Sequence, residues 1–411
     1  GEENIQEMSF DLFAYRKLQD TAADCEDRCD QIEREMRDPK AAERFALKQS
    51  QAFVDQMEGF ALELEDELMN FSDVSYKSFV KSESEIITLF YDKFADIPLL
   101  SRMDAVAETF IDEIETLLNR DLPEEERIPL IEKFRKMYET MDFYVLYNRF
   151  LKKEGYQMLP RRPLEKRKLR YEDVYPVLYL KYRLSRQAER SNIKHLVIDE
   201  MQDYSRLQYL MIRRMFSCKM TILGDRAQTM ADQQQDVLQF LPGIFGKDLR
   251  RIEMRKSYRN TVEIASYAAN LIGVTDLELF ERHGMPVLER DVTDLEAALR
   301  EAVDTLFPEE KTYETAAVIV PDENTAERAY LILRELLAEK DFDCEKRLSW
   351  LNRDSSSFKK GLTVTTFYLA KGLEFDQVFS IFPKDEKREM MMQAQYIAAT
   401  RALHELRVYH I

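Results

Sequence analysis

Two adjacent carboxylates, Asp199 and Glu200, stand directly after the apolar run Leu196-Val197-Ile198. A short run of branched residues is the pattern of a strand buried on both faces of a parallel sheet, here His195 to Ile198. Open α/β sheets bind ligands at the carboxyl ends of their strands. In that position Asp199 can hold a magnesium ion through water, and Glu200 can orient and deprotonate the water that attacks a γ-phosphate. Alone, an apolar strand ending by chance in Asp-Glu accounts for the same residues, so the rest of the chain decides.

Met220-Thr221-Ile222-Leu223 is a second buried-strand pattern, followed by Gly224-Asp225-Arg226-Ala227-Gln228. Lys256-Ser257-Tyr258-Arg259-Asn260 comes after a short apolar strand expected around Ile252 and opens a helix over residues 261–272. Leu362-Thr363-Val364-Thr365-Thr366 runs into Phe367-Tyr368-Leu369-Ala370-Lys371-Gly372-Leu373-Glu374-Phe375-Asp376, with a strand expected over residues 377–382. Gln395-Tyr396-Ile397-Ala398-Ala399-Thr400-Arg401-Ala402-Leu403-His404-Glu405-Leu406 precedes a last strand. Taken in this order, the five segments resemble motifs II to VI of superfamily 1 helicase-like ATPases, the UvrD/Rep/PcrA group. The last two are most similar to the HelD-like branch, whose characterised members associate with bacterial RNA polymerase.

The resemblance implies a role for each matched residue. Asp199 would serve magnesium and Glu200 the water, while Gln228 would sense the γ-phosphate. Arg259 and Arg401 would be paired arginine fingers from the second motor lobe, neutralising charge that develops in phosphoryl transfer. Tyr258 would stack on the adenine, and Gly372 and Glu374 would lie along the nucleotide, Glu374 at the ribose. Thr366 and Lys371 would face nucleic acid. The cofactors implied are ATP and Mg2+. For each arginine taken singly, a surface salt bridge is the alternative.

No Gly-x-x-x-x-Gly-Lys-Ser/Thr occurs in the 411 residues, so no backbone nest or lysine for the β- and γ-phosphates can be located. In the family that loop lies upstream of the region matched here. The sequence is therefore read as a fragment beginning inside the first motor domain, expected to hydrolyse ATP poorly or not at all.

Composition bounds the class. A length of 411 residues suggests two to three domains, and 45% hydrophobic residues in short runs suggest globular material without a membrane span. Four cysteines, Cys25, Cys29, Cys218 and Cys344, lack framework spacing and fit a reducing cytoplasm. Charge is uneven: residues 1–160 hold 37 Asp/Glu against 20 Lys/Arg, a balance equal to the whole chain's −17, so the remainder sums to zero. That acidic stretch has only three glycines and should be mostly helical.

Asp38-Pro39 is a cap followed by a first-turn proline, and Phe45, Phe53, Met57, Phe60, Leu64 and Leu68 suggest one long amphipathic helix from there to about Met69. Further helices are expected near residues 83–95, 101–119 and 124–152, with Asp121-Leu122-Pro123 as a break.

The fold expected is α/β: two RecA-like parallel-sheet lobes, the first incomplete, with an α-helical insertion. Residues 1–20 would start lobe 1A, residues 21–164 would be an acidic insertion of 1B type, residues 165–248 would complete lobe 1A, and residues 249–411 would form lobe 2A. Strands of 2A are expected near residues 250–254, 314–320, 362–367, 377–382 and 405–410. An acidic insertion repels phosphate backbones, which leaves a solvated surface or a contact for a basic protein surface such as RNA polymerase. The Arg161-Arg162 and Lys166-Arg167-Lys168 cluster is a solvated linker or a phosphate contact.

Three departures weaken the DNA helicase reading. No aromatic follows Gln228 where helicases stack single-stranded bases, since the chain reads Thr229-Met230-Ala231-Asp232. Tyr368 stands where the helicase branch has a nucleic-acid-contacting histidine. About a hundred residues separate motifs IV and V, too few for a large 2B insertion. The function expected is an ATP-driven, HelD-like motor that releases RNA polymerase from nucleic acid, with DNA binding weak. The alternatives are a 3′–5′ DNA helicase or translocase, and a binding module without turnover.

Overall fold

The structure, a computed structural model, describes residues 7–186, 193–225, 237–254, 256–257, 259–273, 278–279, 281–340, 342–355, 360–384 and 389–411. The chain divides into two compact units: Gly1–Val197 with Ser205–Thr221, and Ile198–Tyr204 with Ile222–Ile411.

The first unit is mainly helical, with α1 (Phe10–Lys17), α2 (Arg28–Arg37), α3 (Pro39–Lys48), α4 (Gln51–Glu67) and α5 (Glu83–Thr88) in its first part. Then come α6 (Arg102–Leu118), α7 (Glu124–Arg135), α8 (Phe143–Lys153), α9 (Tyr171–Leu184) and α10 (Arg206–Met215). Its strands are short: β1 (Asp24–Cys25) pairs with β4 (Lys168–Leu169), and β2 (Val74–Tyr76) with β3 (Phe79–Lys81). Two more, β5 (His195–Ile198) and β6 (Lys219–Ile222), pair with each other.

The axis of this unit is α9, which is buried almost all the way round, charged Glu172, Asp173 and Lys181 included, as an interior helix is. Helices α1, α2, α3, α4, α8 and α10 pack on it. Pro176 in its middle has no N–H for the carbonyl of Glu172, four residues earlier. The Gln49 side chain donates to that carbonyl instead, at 3.3 Å. Charge is buried here too: Lys48 Nζ lies 2.9 Å from Glu172 and 2.7 Å from Asp173, and the Tyr147 hydroxyl donates to Asp173 at 2.7 Å.

Two expected helices are each broken in two. The helix expected from residue 39 to about 69 ends at Lys48, because the Ser50 hydroxyl caps a new helix by accepting from Phe53 N at 3.2 Å. The helix expected over residues 124–152 is interrupted between α7 and α8, where Asp142 accepts from Tyr144 N and Val145 N. In both cases the apolar spacing runs on across the break, which is why periodicity alone misses it. Asp38-Pro39 does start α3, and α6 ends at left-handed Asn119, just before Asp121-Leu122-Pro123.

The second unit is built on a six-stranded parallel sheet. Two short paired strands, β7 (Lys256–Ser257) and β8 (Glu278–Leu279), lie outside it. Its strands are β9 (Leu288–Asp291), β10 (Thr315–Val320), β11 (Leu348–Trp350), β12 (Gly361–Thr366), β13 (Phe375–Phe382) and β14 (Ala402–His410). Their order is β11-β12-β10-β13-β14-β9, every adjacent pair parallel. The helices are α11 (Val237–Phe245), α12 (Val262–Leu271), α13 (Leu295–Asp304), α14 (Glu323–Ala338), α15 (Cys344–Arg347) and α16 (Glu389–Thr400). All six residues of β12 are buried, as a strand covered on both faces requires. Ala316, Val318 and Val320 pack with α13 and α14, while α12 and α16 pack on each other and against β14.

The chain is therefore α/β with parallel-sheet architecture of the RecA-like kind, as expected. Four of the five strands expected in residues 249–411 match β10, β12, β13 and β14. The fifth does not: residues 251–254 form no strand, with Ile252 88% and Met254 92% exposed. Alternating apolar residues make a strand only where a neighbouring strand takes their backbone groups, and among the described residues this segment joins no sheet. The strands expected to be buried on both faces, β5 and β6, are half-open instead, with Val197 61% and Leu223 49% exposed. They pair only with each other among the described residues, so no second neighbour covers them. No helix among the described residues is long and apolar enough to cross a membrane.

Candidate active site

The chain leaves β5 at Ile198 and turns at once. Leu223 N–H donates to the carbonyl of Ile198 and Met201 N–H to the carbonyl of Leu223, both at 2.8 Å, so the end of β6 is stitched to the turn after β5. Asp199 is exposed, with one carboxylate oxygen accepting from Glu200 N–H at 2.9 Å. Glu200 adopts φ 52, ψ 50, a left-handed conformation that costs a residue with a β-carbon about 1–2 kcal/mol. Such outliers persist where surrounding contacts hold them.

Two contacts hold this one. The Gln202 side chain donates to Glu200 Oε2 at 2.5 Å and accepts from Asp225 N–H at 3.0 Å. Gln202 is fully buried, so its amide has no water to turn to. A β-carbon on Gly224 would stand 2.4 Å from Gln202 Oε1 and 2.5 Å from Met201 N, which only a glycine avoids. The Tyr396 hydroxyl donates to Asp225 at 3.3 Å, and burial with the Asp225 charge raises the Tyr396 pKa.

The loop between β12 and β13, residues 367–374, supplies the remaining partners. Lys371, its side chain 7% exposed, lies 2.5 Å from Asp203 and 3.7 Å from Glu200. Gly372 takes φ 82, the left-handed region that favours glycine. Glu374 pairs with Arg259 at 2.6 Å on a half-exposed surface. Leu373 presents its carbonyl to Arg401 Nη1 at 3.4 Å.

Arg401 sits between α16 and β14 and is 2% exposed. Its guanidinium also donates to Ile397 O at 3.2 Å and Thr400 Oγ1 at 3.1 Å. Burial and the like charge of Arg259 push its pKa down, while Glu200 and Glu374 pull it back. Asn260, next to Arg259, donates to the carbonyls of Thr400 and Ala402 at 3.1 and 2.7 Å, tying the start of α12 to the arginine turn.

Of the residues singled out in the sequence, Glu200, Lys371, Arg259, Glu374 and Arg401 are thus joined by direct ion pairs or by mutual electrostatic influence within the second unit. Gln228 and Tyr258 lie outside the described residues. Thr366, at the end of β12, is buried, and its hydroxyl has no hydrogen-bond partner among the described residues. Gln202, Asp203 and Asp225 were not singled out as functional. The available signal was their position inside the same two motifs, Asp-Glu-Met-Gln-Asp and Gly-Asp.

A magnesium ion carried by nucleotide phosphates keeps several waters and takes one or two protein carboxylates. No group of three or more His, Cys, Asp or Glu poised for a metal occurs among the described residues. Asp199 fits the lesser demand, since its carboxylate is exposed and one oxygen accepts only from the neighbouring backbone among the described residues. It would hold such an ion through water.

Comparison with known proteins bears on this arrangement. A search of curated proteins finds no match. Among solved structures, the chain is similar to the C-terminal domain of a possible DNA helicase from Lactobacillus plantarum, at 24% identity over 38% of this chain and 88% of that one, TM-score 0.29. It is also similar to the PRRSV helicase, at 14% identity over 65% of this chain and 45% of that one, TM-score 0.30. An arterivirus nonstructural protein 10 helicase solved with DNA matches at 14% identity over 65% and 51%, TM-score 0.28. The chain spans about half the length of these two viral helicases. The family model of the UvrD/REP helicase N-terminal domain matches residues 3–230, more than half of the chain, and includes both Asp199-Glu200 and Gly224-Asp225. The chain belongs to the UvrD/REP helicase family.

Proposed function

We propose that the chain is the motor part of an ATP-hydrolysing machine in which Glu200 activates water, Asp199 serves Mg2+, and Arg259 and Arg401 neutralise the transferring phosphoryl group. The observation that carries this reading is the convergence of Glu200, Arg259 and Arg401 on the one loop at residues 367–374, which itself carries Glu374. Phosphoryl transfer depends on positioned charge more than on covalent chemistry, and two arginines near one carboxylate supply it. Gln228 would orient the same water, and Tyr258, Gly372 and Glu374 would hold the nucleoside. A phosphate-binding loop is a further requirement, and its pattern is absent from these 411 residues.

The domain limits we propose are residues 1–20 and 165–248 for lobe 1A, 21–164 for the insertion and 249–411 for lobe 2A. The finer function we propose is HelD-like action on RNA polymerase. Two features support it: the wording of the last two motifs and the acidic first two-fifths of the chain, which suits a basic protein surface better than phosphates. The family match favours a second reading, a DNA helicase or translocase.

One experiment separates them. Protein–polymerase association and single-stranded DNA binding are measured from low to physiological salt. The first reading expects a polymerase complex that weakens as salt screens exposed charge over about 8–10 Å, with weak DNA binding throughout. Reversal of Glu63, Glu65, Asp66 and Glu67 to Lys should then slow association. Tight, salt-sensitive DNA binding with no polymerase complex at low salt would establish the helicase reading instead.

A further inference from the structure

The sequence assigns Lys371 to nucleic acid, but its surroundings point elsewhere. Its side chain is 7% exposed and its ammonium lies between two carboxylates of the turn after β5, Asp203 at 2.5 Å and Glu200 at 3.7 Å. A phosphate backbone could take this lysine only by breaking both pairs and leaving Asp203 without its buried cation.

We propose that Lys371 is a positioning residue for ATP hydrolysis: anchored on Asp203, its ammonium fixes the orientation of the Glu200 carboxylate. This rests on Glu200 being the water-activating group. Three features make the loop suited to the task. Glu200 occupies a strained left-handed conformation, so the turn that carries its carboxylate persists only where contacts hold it. Gln202 holds one oxygen by a neutral hydrogen bond, and Lys371 brings a cation within 3.7 Å of the same oxygen, Oε2. The residues that follow Lys371 reach both arginines, Leu373 through its carbonyl to Arg401 and Glu374 through its carboxylate to Arg259. One short segment therefore sets the water-activating group and the two arginines together.

The test uses a full-length protein carrying a phosphate-binding loop and measures kcat, the KM for ATP and the Kd for an oligo-dT single strand. Misplacing a catalytic group by about 1 Å costs on the order of 10²-fold. Lys371→Met should lower kcat by roughly 10- to 100-fold, with KM and Kd changed by less than about threefold. Lys371→Arg, which keeps the charge on Asp203, should recover most of kcat. Asp203→Asn, which loosens the anchor and keeps the lysine, should lower kcat by a smaller factor and serves if Lys371→Met does not fold. A tenfold loss of oligo-dT affinity with kcat intact at saturating DNA would return Lys371 to nucleic-acid contact. Unchanged kcat in Lys371→Met, or in folded Asp203→Asn, would overturn the positioning role. Full turnover in Glu200→Gln would instead sink the reading on which the proposal rests, whatever Lys371 does.

Discussion

Gly224→Ala is the smallest change that should disturb the candidate site, and its size can be worked from the contacts. The new β-carbon would stand 2.4 Å from Gln202 Oε1, 2.5 Å from Met201 N and 2.6 Å from Met201 Cγ. The Met201 side chain can swing away, but Met201 N is backbone, fixed by its hydrogen bond to the Leu223 carbonyl at 2.8 Å. Relief therefore requires separating the turn after β6 from the turn after β5. Forced overpacking of this kind costs roughly 1–3 kcal/mol. For a cooperative unit of about 200 residues, each kcal/mol lowers Tm by about 2–4 °C, so thermal unfolding of this chain should shift down by roughly 2–12 °C. The double variant Gln202→Ala/Gly224→Ala removes the side-chain clash and leaves the backbone one, so it should not recover the wild-type Tm. Differential scanning calorimetry measures both. A Gly224→Ala Tm within 1 °C of wild type, or full recovery in the double variant, would refute the argument that backbone contact dictates glycine here.

Other expectations follow from the same geometry. In a full-length protein, Glu200→Gln and Arg259→Ala should each cut ATP turnover by about 10³-fold with circular dichroism unchanged, since both side chains are partly exposed. Arg401→Ala should match them in turnover but also lower Tm, because removing a buried guanidinium leaves the Leu373 and Ile397 carbonyls short of a donor. Without a phosphate-binding loop, the 411-residue chain should release phosphate from Mg-ATP no faster than its Glu200→Gln variant in a coupled assay. Lys48→Met should destabilise the first unit by roughly 3–5 kcal/mol in urea titration, because it takes the nearest cation from buried Glu172 and Asp173. Adding Glu172→Gln and Asp173→Asn should return part of that loss.

Legibility in the sequence followed the physics of each element. The strands β10, β12, β13 and β14 were readable because burial on both faces demands unbroken apolar runs such as Ala316-Ala317-Val318-Ile319-Val320. The breaks at Ser50 and at Asp142 were not, because a serine or aspartate inside an apolar period becomes a cap only when the following turn folds onto it. Residues 250–254 show the reverse failure. Their apolar pattern names a strand, but Ile252 and Met254 stay exposed and no strand forms. Pro176 inside α9 frees a carbonyl that Gln49, more than a hundred positions away, takes up.

The site divides along a similar line. Chemistry fixes residue type, so the carboxylates and arginines can be named from order and spacing alone, whereas their partners depend on which segments meet. Nothing local to Gln202 announces that it joins Glu200 to Asp225, and nothing in Glu374 that it meets Arg259. These contacts also give the two arginines different standing. Arg259 is about half-exposed, and an exposed pair such as Arg259–Glu374 is worth at most about 1 kcal/mol, which nucleotide phosphates can readily replace. Arg401 is buried and bound to three backbone or hydroxyl oxygens, so it is already in place before any nucleotide arrives. Under the proposed reading, Arg259 is recruited on binding and Arg401 is pre-set. Selectivity for the bound state would then rest on how easily Glu374 exchanges its arginine for a ribose.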